Sequence, residues 1–196
     1  KYSVILVLGL ALSGIIDINH FAFTRISVIV AAATIACQYG TSAIASYLMY
    51  TAGYVSTGGT HSVANLMMHD VLATSSPDYT SIVGLSLLNA VSEEVIFTGA
   101  GYAALQRFTK RAIWLACLFF AIYHAPSYLG ASPEQLLTNP QLWNARVLLL
   151  LSPFVTEYVK CKLFDAERRR GGGLVGISLG HATANGLLIM AALGML

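Results

Sequence analysis

A chain of 196 residues with 56% apolar and only 10% charged residues lies outside the range of soluble domains, where about 25% of residues are charged. Its mean hydropathy of +0.68 and its apolar stretches of about 20 residues, the length that crosses a bilayer, point to a multi-pass membrane protein rather than a soluble bundle with a greasy surface. A net charge of +2 is too small to attract nucleic acid, and none is expected as a partner.

Six apolar segments follow one another, at about 3–18, 26–55, 81–105, 112–130, 142–159 and 174–196. A start at Lys1 rather than methionine is what a chain with missing terminal segments would show. The second segment is long enough to cross with tilt or to break near Gly40. Between the second and third segments, "HSVANLMMHDVL" (61–72) has the pattern of a surface amphipathic helix. Its His61, His69 and Asp70 read as solvated side chains ahead of a metal site. Tyr47, Tyr50, Tyr54, Trp114 and Trp143 fall near segment ends, where amphipathic rings anchor at the interface.

Basic residues gather at Arg25, in "RFTKR" (107–111) and in "KCKLFDAERRR" (160–170). If each segment crosses once, all three fall on one side, which the positive-inside tendency makes cytoplasmic, or stromal or matrix in an organelle. The loops around 56–80 and 131–141 then face the other side. The run "ERRRGGG" (167–173) reads as a solvated, flexible turn, and Glu157 and Asp165 as partners of nearby Lys or Arg. In the last segment Gly172, Gly176, Gly180 and Ala184 recur every four residues, a stripe that lets a neighbouring helix approach closely. Cys37, Cys117 and Cys161, odd in number and without a CxxC spacing, argue against a disulfide framework or zinc ribbon and read as small buried hydrophobes. The expected fold is an all-α integral membrane protein of about six transmembrane helices. It forms a single membrane domain, with N-terminal helices and a loop over 1–80 and a core of the last four spans over 81–196.

Chemistry concentrates in "NAVSEEVIFTGAG" (89–101), where Glu93 and Glu94 sit together inside an apolar run. Even lenient insertion scales assign about 2.5–3.5 kcal/mol to one such group, so a partner or a function is required. Two other segments offer partners: His124 in "FFAIYHAP", and His181 with Asn185 in "SLGHATANG", one turn apart on one helix face. Counted at about 1.5 Å per residue from the basic side, Glu93 and His124 lie about 18 Å deep, and His181 and Asn185 about 10 and 16 Å deep. Residues from three helices at similar depth are expected to converge on one polar, water-holding pocket.

These motifs, "EEVIF", "FAIYH" (Phe120 to His124) and "HATAN" (His181 to Asn185), resemble the glutamate pair, FxxxH and HxxxN motifs of the CPBP family of CAAX-prenyl-protease and bacteriocin-processing (Abi) membrane proteins. The resemblance covers about 81–196. It implies that Glu93 acts as general base on a water, that His124 helps hold that water, and that His181 and Asn185 form an oxyanion hole. It also places Glu94 in the site and implies no cofactor and no metal. Peptide hydrolysis needs those parts: an activated water, and donors aimed at the developing oxyanion. The family usually reads EExxxR, whereas here the arginine position is Thr98. Glu94 is therefore expected either to be protonated and bonded to Thr98, or to pair with Arg146.

Other readings of the same residues stand beside this one. The polar side chains could be interhelical ties. Glu93 with the two histidines could bind zinc, although no HExxH is present. The carboxylates could relay protons in a transporter. The main rival to a metal-independent peptidase, acting on peptide or membrane-tethered protein segments from within the lipid bilayer, is a catalytically silent relative. It would serve as scaffold or accessory subunit among the partner subunits of a membrane complex.

Overall fold

Long apolar segments leave the backbone few ways to satisfy its N–H and C=O groups away from water, and every described element here is helical. The computed structural model describes residues 21–51, 79–129 and 140–192. Helix α1 spans Arg25–Thr51 and α2 spans Tyr79–Glu93; a π-helical stretch follows over Glu94–Tyr102 and continues into α3, Ala103–Phe108. Then come α4 (Ala112–Leu129), α5 (Pro140–Arg168) and α6 (Val175–Ala192). The continuous run Tyr79–Phe108 and the part Arg25–Ala45 of α1 are long and apolar enough to cross a membrane, while Ala112–Ala125 and Val175–Ala191 are shorter apolar helices. The predicted segment 3–18, the surface helix at 61–72 with His61, His69 and Asp70, Tyr54, and the side chains of Tyr50, Trp143 and Arg146 lie outside the described residues.

Of the two courses open to the second segment, helix α1 takes the unbroken one, running through Gly40. One element differs from the sequence expectation. Helix α5 does not end near 159 but continues to Arg168, so most of "KCKLFDAERRR" is helix rather than loop. The reason lies in the packing. Lys160, Cys161 and Phe164 are all buried, and the Lys160 charge is neutralised inside the protein by Glu94 and Glu157.

The described helices bury many polar groups and expose many large apolar ones. Val28, Ile29, Ile44, Val83, Leu88 and Ile122 are each more than half exposed, whereas Ser27, Thr34, Gln38, Ser42, Glu94, Glu157 and Lys160 are buried. Such inversion suits a protein surrounded by hydrocarbon, where buried polar groups must find partners among themselves. An apolar cluster of Val95, Tyr102, Cys161, Phe164, Leu174 and Ile177 closes the end nearer the basic residues. Cys117 and Cys161 are buried and Cys37 is partly buried, all three as free thiols.

Helix α6 packs against α1 and α2, and α5 against α4 and α1. The small-residue stripe serves the α1 contact. A Cβ placed on Gly180 would lie 2.5 Å from the Ala31 carbonyl oxygen, and one on Gly176 would lie 2.6 Å from that of Ser27. Only glycine permits this approach. The predicted flexible turn after α5 is instead a closed cap. Gly171 adopts φ 81°, its N–H donates to the Arg168 carbonyl at 3.2 Å, and the Gly172 N–H donates to that of Glu167 at 3.1 Å. That pattern is a Schellman motif. Arg168, Arg169 and Arg170 are exposed, but Glu167 is buried. Its carboxylate accepts from the Ser27 hydroxyl and from the Gly176 N–H, tying α1, α5 and α6 together.

Candidate active site

The glutamate pair stands where α2 gives way to the π-helical stretch. A π-turn, with its i→i+5 hydrogen bonds, widens the helix and recurs at functional sites. Glu93 and Glu94 are both buried, at 5% and 0% exposure. They serve different neighbours.

Glu93 faces a cavity. Its Oε1 accepts from the Asn89 amide, one turn earlier, at 3.0 Å. His124 Nε2 lies 3.7 Å from Oε1, and His181 Nε2 lies 3.6 Å from Oε2. Both separations exceed a direct hydrogen bond, and Oε2 has no hydrogen-bond partner among the described residues. His124 is fixed by the residue four before it. Its Nδ1–H donates to the Phe120 carbonyl at 2.9 Å, and the two rings lie 4.3 Å apart. With the proton on Nδ1, a neutral His124 presents Nε2 as an acceptor toward Glu93.

Glu94 is the hub of a buried ion network. Its Oε1 accepts from Lys160 Nζ at 2.6 Å and from His181 Nδ1–H at 2.6 Å, and its Oε2 accepts from the Thr98 hydroxyl at 2.7 Å. Lys160 also pairs with Glu157 at 2.9 Å and lies 4.0 Å above the Phe120 ring. The Thr98 hydroxyl lies 3.0 Å from Glu157 as well. The expected Glu94–Thr98 contact is present, but Thr98 donates it, and Glu94 is the acceptor for three donors rather than the protonated acid expected. The cation, however, is Lys160, while the Arg146 side chain lies outside the described residues. Glu157 pairs with a lysine as predicted, though inside the core rather than at a loop. Asp165 accepts from the Tyr102 hydroxyl at 2.8 Å and from Gln106 at 3.2 Å.

With its Nδ1 proton committed to Glu94, His181 can donate from Nε2 only as the doubly protonated ring. Glu94 fixes the orientation of that ring through this hydrogen bond. Asn185, one turn on, accepts from Gln38 Nε2 through its Oδ1 at 2.6 Å. The cavity measures about 460 Å³ and is lined by Glu93, His124, His181, Asn185, Lys160 and Gln38 among others. All the predicted site residues thus meet in one region: four line the cavity, and Glu94 lies behind His181. For the zinc reading, no group of three His, Cys, Asp or Glu among the described residues is arranged to hold a metal ion.

Sequence reasoning missed Asn89, Lys160, Glu157 as a site residue, and Gln38. Signals existed for each. Asn89 precedes Glu93 by one turn, Glu157 and Lys160 have ion-pair spacing on a helix, and Thr34, Gln38 and Ser42 form a polar stripe at intervals of four in a mostly apolar segment.

The family described as type II CAAX prenyl endopeptidase Rce1-like matches residues 75–187, more than half of the chain. The chain belongs to the Rce1-like family. That family is one of membrane-embedded CAAX-type proteases. No curated protein and no solved structure matches the chain. The Rce1-like match begins just before α2 and ends within α6, so it contains Glu93, Glu94, His124, His181, Asn185 and Lys160. Gln38 and Ser42, on α1, lie outside it.

Proposed function

We propose that this Rce1-like protein is an intramembrane endopeptidase that hydrolyses a peptide bond near the end of a CAAX-type or otherwise membrane-tethered protein segment. The observation that carries the reading is the pair of imidazole Nε2 atoms facing the Glu93 carboxylate, 3.7 and 3.6 Å away, in a cavity that the Asn185 amide also lines. A cavity of about 460 Å³ lies within the range of small-molecule and peptide sites, about 300–1,000 Å³.

In this mechanism a water donates one hydrogen to Glu93 and the other to His124 Nε2, leaving a lone pair for the scissile carbonyl. Glu93 takes the first proton as the new C–O bond forms. The oxyanion is held by the Asn185 Nδ2–H and the Nε2–H of protonated His181. Collapse of the tetrahedral intermediate breaks the C–N bond, and Glu93 returns the proton to the leaving amine. Glu94 acts through His181, and Lys160 and Thr98 hold Glu94. No covalent nucleophile and no metal enter these steps.

The substrate would reach the cavity from the basic side, with the six-span, multi-pass topology placing residues 107–111 and the basic end of α5 in the cytoplasm, stroma or matrix. The rival reading, a silent scaffold or accessory subunit, drew its motive from Thr98 in place of arginine. Lys160 supplies the missing cation, which favours the enzyme. The test is purified full chain in proteoliposomes with a panel of quenched prenylated CAAX peptides. Cleavage at one internal bond, unaffected by chelators, is expected. Absence of cleavage across the panel, with a folded protein, favours the scaffold, and loss of cleavage on chelation favours zinc.

A further inference from the structure

Asn185 can help an oxyanion only with its N–H₂ group turned toward the cavity, because the opposite rotation presents a carbonyl oxygen to a developing negative charge. The two rotations differ little in shape, so something must choose between them. The chooser is visible on α1. Gln38, 6% exposed, donates Nε2–H to Asn185 Oδ1 at 2.6 Å, which consumes the carbonyl side of the asparagine and leaves Nδ2 free. Gln38 itself lines the cavity, and its Oε1 has no hydrogen-bond partner among the described residues.

Helix α1 is well fixed for such a task. Ser27 bonds Glu167 at one end, and the Thr41 hydroxyl lies 3.0 Å from that of Thr156, one turn beyond Gln38. Between them, Gly180 lets α6 approach the α1 backbone until no Cβ fits. These ties hold Gln38 in register with Asn185 from both sides, and a donor on a rigid helix keeps its aim without reorganising during reaction.

We propose that Gln38, which lies outside the family match, is a positioning residue of the oxyanion hole: it locks the Asn185 amide with its N–H₂ facing the scissile carbonyl. The inference rests on the peptidase reading of the site. It predicts that Gln38 acts on the chemical step and only through Asn185.

The experiment is a double-mutant cycle on the full chain in proteoliposomes, using a quenched CAAX peptide that the parent cleaves. Gln38→Glu keeps the size but replaces the donor by an acceptor, so the Asn185 amide turns its N–H₂ away from the cavity. Loss of one oxyanion donor is expected to lower kcat by about 10²-fold, with KM changed by less than about threefold. In an Asn185→Ala background, the same Gln38→Glu substitution should lower kcat by less than about twofold further. Gln38→Met, which releases the amide without reversing it, should lower kcat by about tenfold and serves where the charged variant fails to fold. A loss of equal size in both backgrounds, or unchanged kcat in the folded Gln38 variants, overturns the inference. If Asn185→Ala itself is fully active, the oxyanion assignment fails first, and the two failures are thereby told apart.

Discussion

Lys160 brings its ammonium to 2.6 Å from the Glu94 carboxylate, crossing from α5 to the first residue of the π-helical stretch. It also holds Glu157, so one cation serves two fully buried carboxylates. Removing one partner from such a cluster leaves uncompensated charge and typically costs about 3–5 kcal/mol. Lys160→Met is therefore expected to lower the thermal midpoint markedly and to reduce cleavage. Thr98 touches the same two carboxylates, at 2.7 and 3.0 Å, so an arginine there could reach both. Thr98→Arg in the Lys160→Met background should recover part of the lost stability and activity, measured by thermal unfolding in detergent and by peptide turnover. No recovery would show that the two positions are not interchangeable sources of charge.

The close approach of α6 to α1 gives a second expectation. Gly180→Ala adds a methyl that would lie 2.5 Å from the Ala31 carbonyl oxygen and 2.7 Å from Thr34 Cβ, both parts of α1 that cannot swing aside. Overpacking of this kind destabilises by about 1–3 kcal/mol. Turnover should fall as well, because separating the helices draws Gln38 away from Asn185. Gly40→Ala, whose Cβ would meet nothing within 4 Å, is the matched control and should leave turnover unchanged.

Glu167 supplies a pH-dependent test at the basic end of α5. Burial raises its carboxyl above the ordinary range, and the hydrogen bonds from Ser27 and Gly176 only partly oppose this. An acid whose folded value is raised contributes stability that is fully present below the unfolded value, about 4.3, and is lost as pH rises through the folded value. Glu167→Gln keeps an acceptor for Ser27 and Gly176 but cannot ionise. Compared by thermal unfolding at pH 4 and pH 8, the variant should lose less stability than the parent on going to the higher pH. An identical decline in both would remove Glu167 as the source.

Much of this fold could be read from residue order because hydropathy alone marks helices in a membrane chain. The third segment, expected at 81–105, is observed as Tyr79–Phe108, and the fourth, expected at 112–130, as Ala112–Leu129. The reading failed where charge is buried. A hydropathy window stops at Lys160, yet the helix continues, since Glu94 and Glu157 neutralise that lysine from positions 66 and 3 residues away in sequence. The π-helical widening at Glu94 left no pattern that an α-helical period could reveal. Helix α1 showed its role only as polar residues four apart, one of which, Gln38, bonds Asn185 147 residues downstream.

The direct test of the account is the turnover of Glu93→Gln against the parent on a quenched CAAX peptide, with thermal unfolding as the check on folding. The amide fills the same space and keeps an acceptor for Asn89 but cannot take a proton from water. A general base contributes about 10²–10⁴-fold to rate, so cleavage by the folded variant should fall by that factor while peptide binding persists. Turnover equal to that of the parent would contradict the assignment of Glu93 as the base and with it the hydrolytic mechanism.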